Sequence, residues 1–292
     1  MAGPSHRLLI AGYLAPALLL LAVFVVAPVL GAIGLSLTNE TLTGPDALAP
    51  RFVGLTNYGR LLADSEFYAS FLRSGAFVFF SALVGQFVLG LLAALLLARP
   101  LLRGKGLFGG AILLPLVVPE TVASLAWASM LAPAEFGTVN RMIGGAGFAP
   151  IAWLQAYPLQ SIIVINIWRG IAFAMILFQA ALEGIPRELA EAAQVDGASA
   201  WQQLRLITLP LLRGAIVLYM LLTTIATFGV FGLIYFLTQG GPGKATSVMS
   251  IYIYNHAFNF FEIGLGSAAS VMMLAVVLVI GLVYVRLLRA EI

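Results

Sequence analysis

The chain has 292 residues, 61% hydrophobic and only 9% charged, with a mean hydropathy of +1.03. A soluble domain carries about 25% charged residues, so this composition excludes one and marks an integral membrane protein. The absence of cysteine excludes disulfides and thiolate metal sites, His6 and His256 are too far apart in sequence to suggest a metal site, and a net charge of +3 is too small to argue for nucleic acid.

Span 1 covers about 8–37. His6 and Arg7 precede its apolar run as in a signal peptide, but the run exceeds an h-region of about 7–15 residues and matches a spanning helix of about 20. It reads as a retained helix, in which Pro16 and Pro28 are tolerable. A loop over 38–70 follows, with Gly44, Pro45, Asn57 and Tyr58 as turn signals. Spans 2 and 3 cover about 71–98 and 107–131, joined by a short basic link with Arg99, Arg103 and Lys105. Pro115 and Pro119 are expected to kink span 3. The Gly/Pro-rich 132–157 loop holds Trp153 and Tyr157, expected interface aromatics. Span 4 covers about 158–182, and a polar segment, 186–210, comes next. Span 5 covers about 211–237, a loop with a short helix over 248–261 follows, and span 6 covers about 263–288. The expectation is an all-α membrane protein with six transmembrane helices, forming one transmembrane domain over 1–292.

The polar segment reads as helix, turn, helix. Pro186 suits a first helical position, and Glu188 and Glu191 sit near the positive end of the dipole. Gly197, after Asp196, is a left-handed stop. Ser199 with Gln202 forms a capping box that opens a second helix, and Pro210 marks where that helix hands over. Helices this short are marginal alone, and Ala190, Ala192 and Ala193 allow close approach. Two readings follow: a docking surface for another protein, or an amphipathic hairpin in the membrane interface.

Lys and Arg set the orientation. Nine fall on the termini side: Arg7, Arg99, Arg103, Lys105, Arg187, Arg205, Arg213, Arg286 and Arg289. The opposite loops hold four, Arg51, Arg60, Arg141 and Lys244. Both termini and the hairpin are therefore expected in the cytoplasm.

Glu191, Ala192 and Ala193, then Asp196 and Gly197, then Ile207, Leu209 and Pro210 resemble the EAA loop of ABC-transporter permease subunits. Asn166, Trp168, Arg169 and Gly170 look like the Trp-containing motif of sugar permeases. Leu113 to Pro115, Trp127, Leu237 to Pro242, Tyr252 to Phe258 and Gly264 to Ala269 extend the likeness over nearly the whole chain. It points to the carbohydrate-uptake branch, which includes maltose, trehalose and glycerol-3-phosphate permeases. The resemblance implies the ABC importer permease fold, with the hairpin as cytoplasmic coupling helices seated in a cleft on an ATPase subunit. It implies a bacterial or archaeal cytoplasmic membrane, a second homologous permease subunit in a heterodimer, two cytoplasmic ATPase copies and an extracytoplasmic solute-binding protein. ATP and Mg would be bound by the ATPase subunits, with no cofactor in this chain, and the cargo would be an oligosaccharide, a disaccharide or a glycerol-phosphate.

Polar side chains in a span are costly unless they face protein or a wet cavity, and sugars are held by a few polar groups plus aromatic faces. Asn166, Gly170 and Phe173 share one face of span 4, and Thr223 and Thr227 share one of span 5, with Thr224 and Phe228 nearby. The alternative is that the threonines bond their own helix backbone. By resemblance these positions match the sugar-contacting ones of maltose-type permeases, with departures. Thr227 and Val230 stand where that type has asparagines, and Phe173 where it has tyrosine, which implies a less polar site. Glu120 and Arg169 are ionisable residues inside spans. Either they line the path, or they form a salt bridge between spans 3 and 4, or Arg169 snorkels to an interface; the structural reading leads for Arg169.

Gly243 and Lys244 do not make a phosphate loop, because Thr238 stands where the upstream glycine is required and Ala245 replaces the Ser/Thr. No ATP hydrolysis is expected of this chain, and no other catalytic constellation is visible, which disfavours a membrane-embedded enzyme. An ion-gradient-driven secondary transporter is the alternative function class. Such carriers often show internal repeats; none is clear here, and a gradient-driven carrier has no use for a docking hairpin.

Overall fold

In the computed structural model the backbone is described for residues 4–98, 104–133 and 136–289, with side chains throughout except at 4–11, 187 and 289. Arg99 and Arg103, and the side chains of Arg7, Arg187 and Arg289, lie outside the described residues. Among those described there is no β-strand, only an isolated antiparallel bridge between Thr38 and Phe52. Hydrocarbon cannot hydrogen-bond the backbone, so an apolar chain must satisfy it internally as helix. Among the described residues four helices are long and apolar enough to cross a membrane: Gly12–Ser36, Ser65–Ala98, Pro158–Glu183 and Ile263–Leu288. Two bent helix pairs raise the number to six if each makes one span.

Several boundaries differ from expectation, each for a local reason. Span 2 begins at Ser65 rather than 71, because Asp64 Oδ1 accepts from the Glu66 N–H at 2.9 Å and starts the helix before the apolar run. The 38–70 loop also contains the helix Thr56–Ala63, and Asn57, expected at a turn, is buried. Its amide donates to the Ser36 and Thr38 carbonyls at 2.9 and 2.7 Å. Span 3 is broken, not kinked: Lys105–Val117 and Glu120–Met130 meet at 107°. Pro119 forces Val118 into an extended conformation, while Pro115 stays inside its helix.

Span 5 is also interrupted. Arg213–Phe228 has 16 residues, about 24 Å at 1.5 Å per residue, short of a ~30 Å hydrocarbon core. After Gly229, Val230 and Phe231 a second helix runs Gly232–Thr238. On the other side, Arg213–Phe228 meets Ala200–Leu211 at 67°. Pro210 therefore lies inside the second hairpin helix, and the handover falls at Leu212. The preceding Leu204–Thr208 turn is π-helical, with the Leu209 N–H bonded to Leu204 O. That wider turn accommodates a ring that would otherwise collide with the carbonyl four residues back. The short helix after span 5 is present as Met249–Tyr254 with a π-helical Asn255–Asn259.

By internal contacts the chain forms two units, Met1–Tyr68 with Tyr252–Val276, and Ala69–Ile251 with Val277–Ile292. In the first, Gly264 donates to Glu40 O at 2.9 Å, and a Cβ there would fall 2.1 Å from Thr38 O. Arg60 pairs with Glu262 at 2.6 Å, and His256 Nδ1 lies 3.1 Å from the other carboxylate oxygen. Burial alone would raise the Glu262 pKa, but the hydrogen bonds from Arg60 and His256 outweigh it and hold the carboxyl below its ordinary value. Tyr252 donates to Asp64 at 2.6 Å, and burial, then that bond and charge, push its pKa well up.

In the second unit, residues 69–98 of span 2 lie close along Pro158–Glu183 where small residues meet. A Cβ at Gly90 would stand 2.2 Å from Ala174 Cβ. Without a hydrophobic drive between helices in lipid, such close approach holds them together. Leu91, Ala94, Ala174, Phe178, Leu212 and Tyr219 form one buried cluster there.

Candidate functional site

The hairpin has the local chemistry its sequence carries. Its first helix is Arg187–Val195, with Pro186 as N-cap rather than first helical residue. Gly197 has φ +76°, Ala198 N bonds Ala193 O at 2.9 Å and Gly197 N bonds Gln194 O at 3.1 Å, the two bonds of a Schellman ending. The capping box is complete: Gln202 N donates to Ser199 Oγ at 3.3 Å and Ser199 N to Gln202 Oε1 at 2.7 Å. Ala193 is buried, Glu191, Ala192, Asp196, Gly197 and Pro210 are exposed, and Ile207 and Leu209 are half-buried. Leu209 and Ile185 pack on the Leu212–Tyr219 cluster, so the base of the hairpin is anchored in the core. Its outer surface leaves Val195, Trp201 and Leu206 at 88%, 65% and 68% exposure. Exposed apolar side chains here suit either of the two readings, a protein partner or the membrane interface.

The expected path residues divide. Asn166, Gly170 and Thr223 converge on a residue the sequence reading passed over, Gln86. Asn166 Nδ2 donates to Ser81 Oγ at 2.8 Å. Gln86 Nε2 donates to the Asn166 carbonyl at 2.7 Å, and Thr223 Oγ1 donates to Gln86 Oε1 at 3.2 Å. The Gln86 carboxamide fills the space beside Gly170, where a Cβ would lie 2.1 Å from Gln86 Cδ. Thr223 thus bonds across helices rather than to its own backbone. Thr227 is buried one turn on, and Thr224 Oγ1 is buried with no hydrogen-bond partner among the described residues. Phe173 is stacked on Tyr219, with ring centroids 6.2 Å apart, and Tyr219 donates to Ala82 O at 3.0 Å.

Glu120 is not in this group. It is the first residue after the break in span 3. One carboxylate oxygen accepts from Leu233 N–H, just after the break in span 5, and the other lies 3.5 Å from Arg169 Nη2. The salt bridge between spans 3 and 4 is therefore present. Gln86 and Ser81, uncharged polar residues of span 2, are the functional candidates the sequence reading lacks; the cost rule that singles out spans 4 and 5 finds both when applied to span 2. A cavity of about 430 Å³ lined by Trp127, Leu131, Trp153, Tyr157 and Gln160 touches none of the expected path residues. Trp153, expected at an interface, donates its indole N–H to Asn140 Oδ1 at 3.0 Å.

A family model described as "binding-protein-dependent transport system inner membrane component" matches residues 86–290. The chain is similar to the trehalose/maltose transport system permease protein MalF of Thermococcus litoralis, at 35% identity over 95% of this chain and 93% of that protein. It is similar to the trehalose transport system permease protein SugA of Mycobacterium tuberculosis, at 37% identity over 94% of this chain and 87% of that one. Its fold is shared with a chain of a bacterial alginate ABC transporter crystallised with an alginate pentasaccharide-bound periplasmic protein, at a TM-score of 0.81 and 23% identity over 96% of this chain and 93% of that one.

Proposed function

The chain belongs to the family of binding-protein-dependent transport system inner membrane components, as a carbohydrate ABC transporter permease, and we propose that its cargo is a disaccharide, an oligosaccharide or a glycerol-phosphate. The ion-gradient alternative falls with that membership. Asn166, Gly170, Phe173, Thr223 and Thr227 line the solute path. The hairpin docks on one of two cytoplasmic ATPase copies, which bind ATP and Mg; this chain hydrolyses nothing and holds no cofactor. A second, different permease subunit and an extracytoplasmic binding protein complete the importer, in a bacterial or archaeal cytoplasmic membrane, with both termini inside and residues 1–292 acting as one domain.

One observation carries the coupling. Leu209, at the end of the EAA pattern, packs on the same buried cluster as Tyr219, which stacks on Phe173. A push on the hairpin therefore reaches the path residues through packed side chains. Gly197 tests this. A Cβ there meets nothing within 4 Å, so alanine adds only backbone strain of about 1 kcal/mol, and aspartate adds a charge besides. Gly197→Asp is expected to leave the chain inserted while ATPase co-purification and uptake fall severalfold, with Gly197→Ala milder. Wild-type co-purification and uptake in Gly197→Asp would show that the hairpin is not the coupling element.

Orientation is tested by thiol labelling in a chain that has no cysteine. Leu48 is 91% exposed, and Leu48→Cys is expected to react with an impermeant reagent from outside intact cells, while Ser199→Cys does not. Labelling of Ser199→Cys from outside reverses the topology.

A further inference from the structure

We infer that Gln86 is the gate of the solute path: its carboxamide bridges spans 2, 4 and 5, and the solute must displace it. This rests on the reading of Asn166, Gly170 and Thr223 as path residues. Gln86 is only 4% exposed and interrupts an apolar span. It ends a nine-residue π-helical stretch, Val78–Gln86, an uncommon conformation that occurs mostly as single turns and often at functional sites. Its two polar atoms are engaged on two other spans, the amide N–H on Asn166 O and the amide oxygen on Thr223 Oγ1.

The carboxamide fills a slot on span 4 as well as bridging two spans. It lies where any side chain at residue 170 would begin, with Cδ, Nε2 and Oε1 all within 2.3 Å of a Cβ built there. Gly170 therefore keeps a slot open on span 4, and Gln86 fills it from span 2. A donor and an acceptor held side by side are also what a vicinal pair of sugar hydroxyls offers. A polyhydroxylated solute entering the slot meets a carbonyl that accepts, Asn166 O, and a hydroxyl that donates, Thr223. It replaces the two Gln86 bonds one for one on Asn166 and Thr223, and the displaced carboxamide must bond water or the solute in turn.

The labelling test uses the purified importer with its partner subunits and by itself needs no knowledge of the cargo. Thr227→Cys places a single thiol in this chain on the Thr223 face, and its reaction with a small water-borne thiosulfonate is followed on this chain. Gln86→Ala removes the plug, and Gly170→Ala expels it. Each is expected to speed labelling on the order of tenfold, the ratio that loss of two ordinary hydrogen bonds from the closed state supports. In the double variant the added Cβ refills part of the emptied slot, so labelling is expected to be slower than in Gln86→Ala alone. This reversal of sign is one that two independent loosening mutations, which add, do not give. Unchanged labelling in Gln86→Ala at equal amounts of inserted chain overturns the gate, as does a double variant that reacts faster than either single one. Failure of the path reading looks different: the thiol opens as expected, but importers carrying Asn166→Ala take up radiolabelled trehalose at the wild-type rate.

Discussion

Glu120→Ala is expected to be among the most damaging single changes in this chain. It strips the acceptor from Leu233 N–H and the counter-charge from Arg169 at once. Arg169 Nε is already buried without a hydrogen-bond partner among the described residues, so the guanidinium would keep little to hold it. Removing one partner of a fully buried pair costs about 3–5 kcal/mol. The Arg169 and Glu120 side chains are 24% and 34% exposed, which lowers the expectation to roughly 2–3 kcal/mol. The measurement is the amount of inserted chain and its melting temperature in detergent. Glu120→Gln keeps an acceptor for Leu233 and should lie between alanine and wild type. Adding Arg169→Leu to Glu120→Ala removes the stranded charge and should recover part of the loss. Melting of Glu120→Ala at the wild-type temperature would show that the pair holds nothing together. Should Glu120→Gln melt normally yet lose uptake, the carboxylate serves the path instead.

Gly90→Leu is expected to prevent span 2 from seating on span 4. Its Cβ would fall 2.2 Å from Ala174 Cβ and 3.2 Å from the Ala174 carbonyl carbon and Met175 N. Two of those three atoms are backbone, so no rotamer change relieves the overlap, and the helices must part. Overpacking typically costs about 1–3 kcal/mol, and a helix pair forced apart belongs at the upper end. The separation would also open the buried cluster of Leu91, Ala94, Phe178 and Tyr219. Protease resistance and steady-state amount should both collapse in Gly90→Leu. Gly31→Ala is the control, because a Cβ at Gly31 meets nothing within 4 Å. Equal resistance in the two variants would mean that the close approach contributes nothing.

What the sequence made legible was what local chemistry decides. Apolar runs found four of the spans to within a few residues at most ends, and Gly197 with Ser199 and Gln202 found the hairpin turn, because caps and left-handed stops act within five residues. What it hid depends on neighbours distant in the chain. Two prolines in span 3 looked alike, but Pro115 stays helical and Pro119 does not. The break at 229–231 contains no proline at all. Asn57 looked like a turn residue, yet it caps the end of span 1 from another helix. Asn166 and Thr223 were visible as polar residues in spans, while their partner Gln86 stands 80 and 137 positions away. Nothing local to Gly170 says that its missing side chain is replaced by one from span 2.

The unit built from Met1–Tyr68 and Tyr252–Val276 has a consequence for biosynthesis. Its closing contacts, Gly264 N to Glu40 O, Leu42 N to Phe261 O and Arg60 to Glu262, join residues before Tyr68 to residues after Tyr252. Roughly 180 residues intervene, and at about 5–20 residues per second the ribosome takes on the order of 10–40 s to deliver them. For that interval the first 68 residues wait in the membrane without the segment that completes their unit. A ribosome that stalls anywhere before residue 252 therefore leaves this unit without its second half.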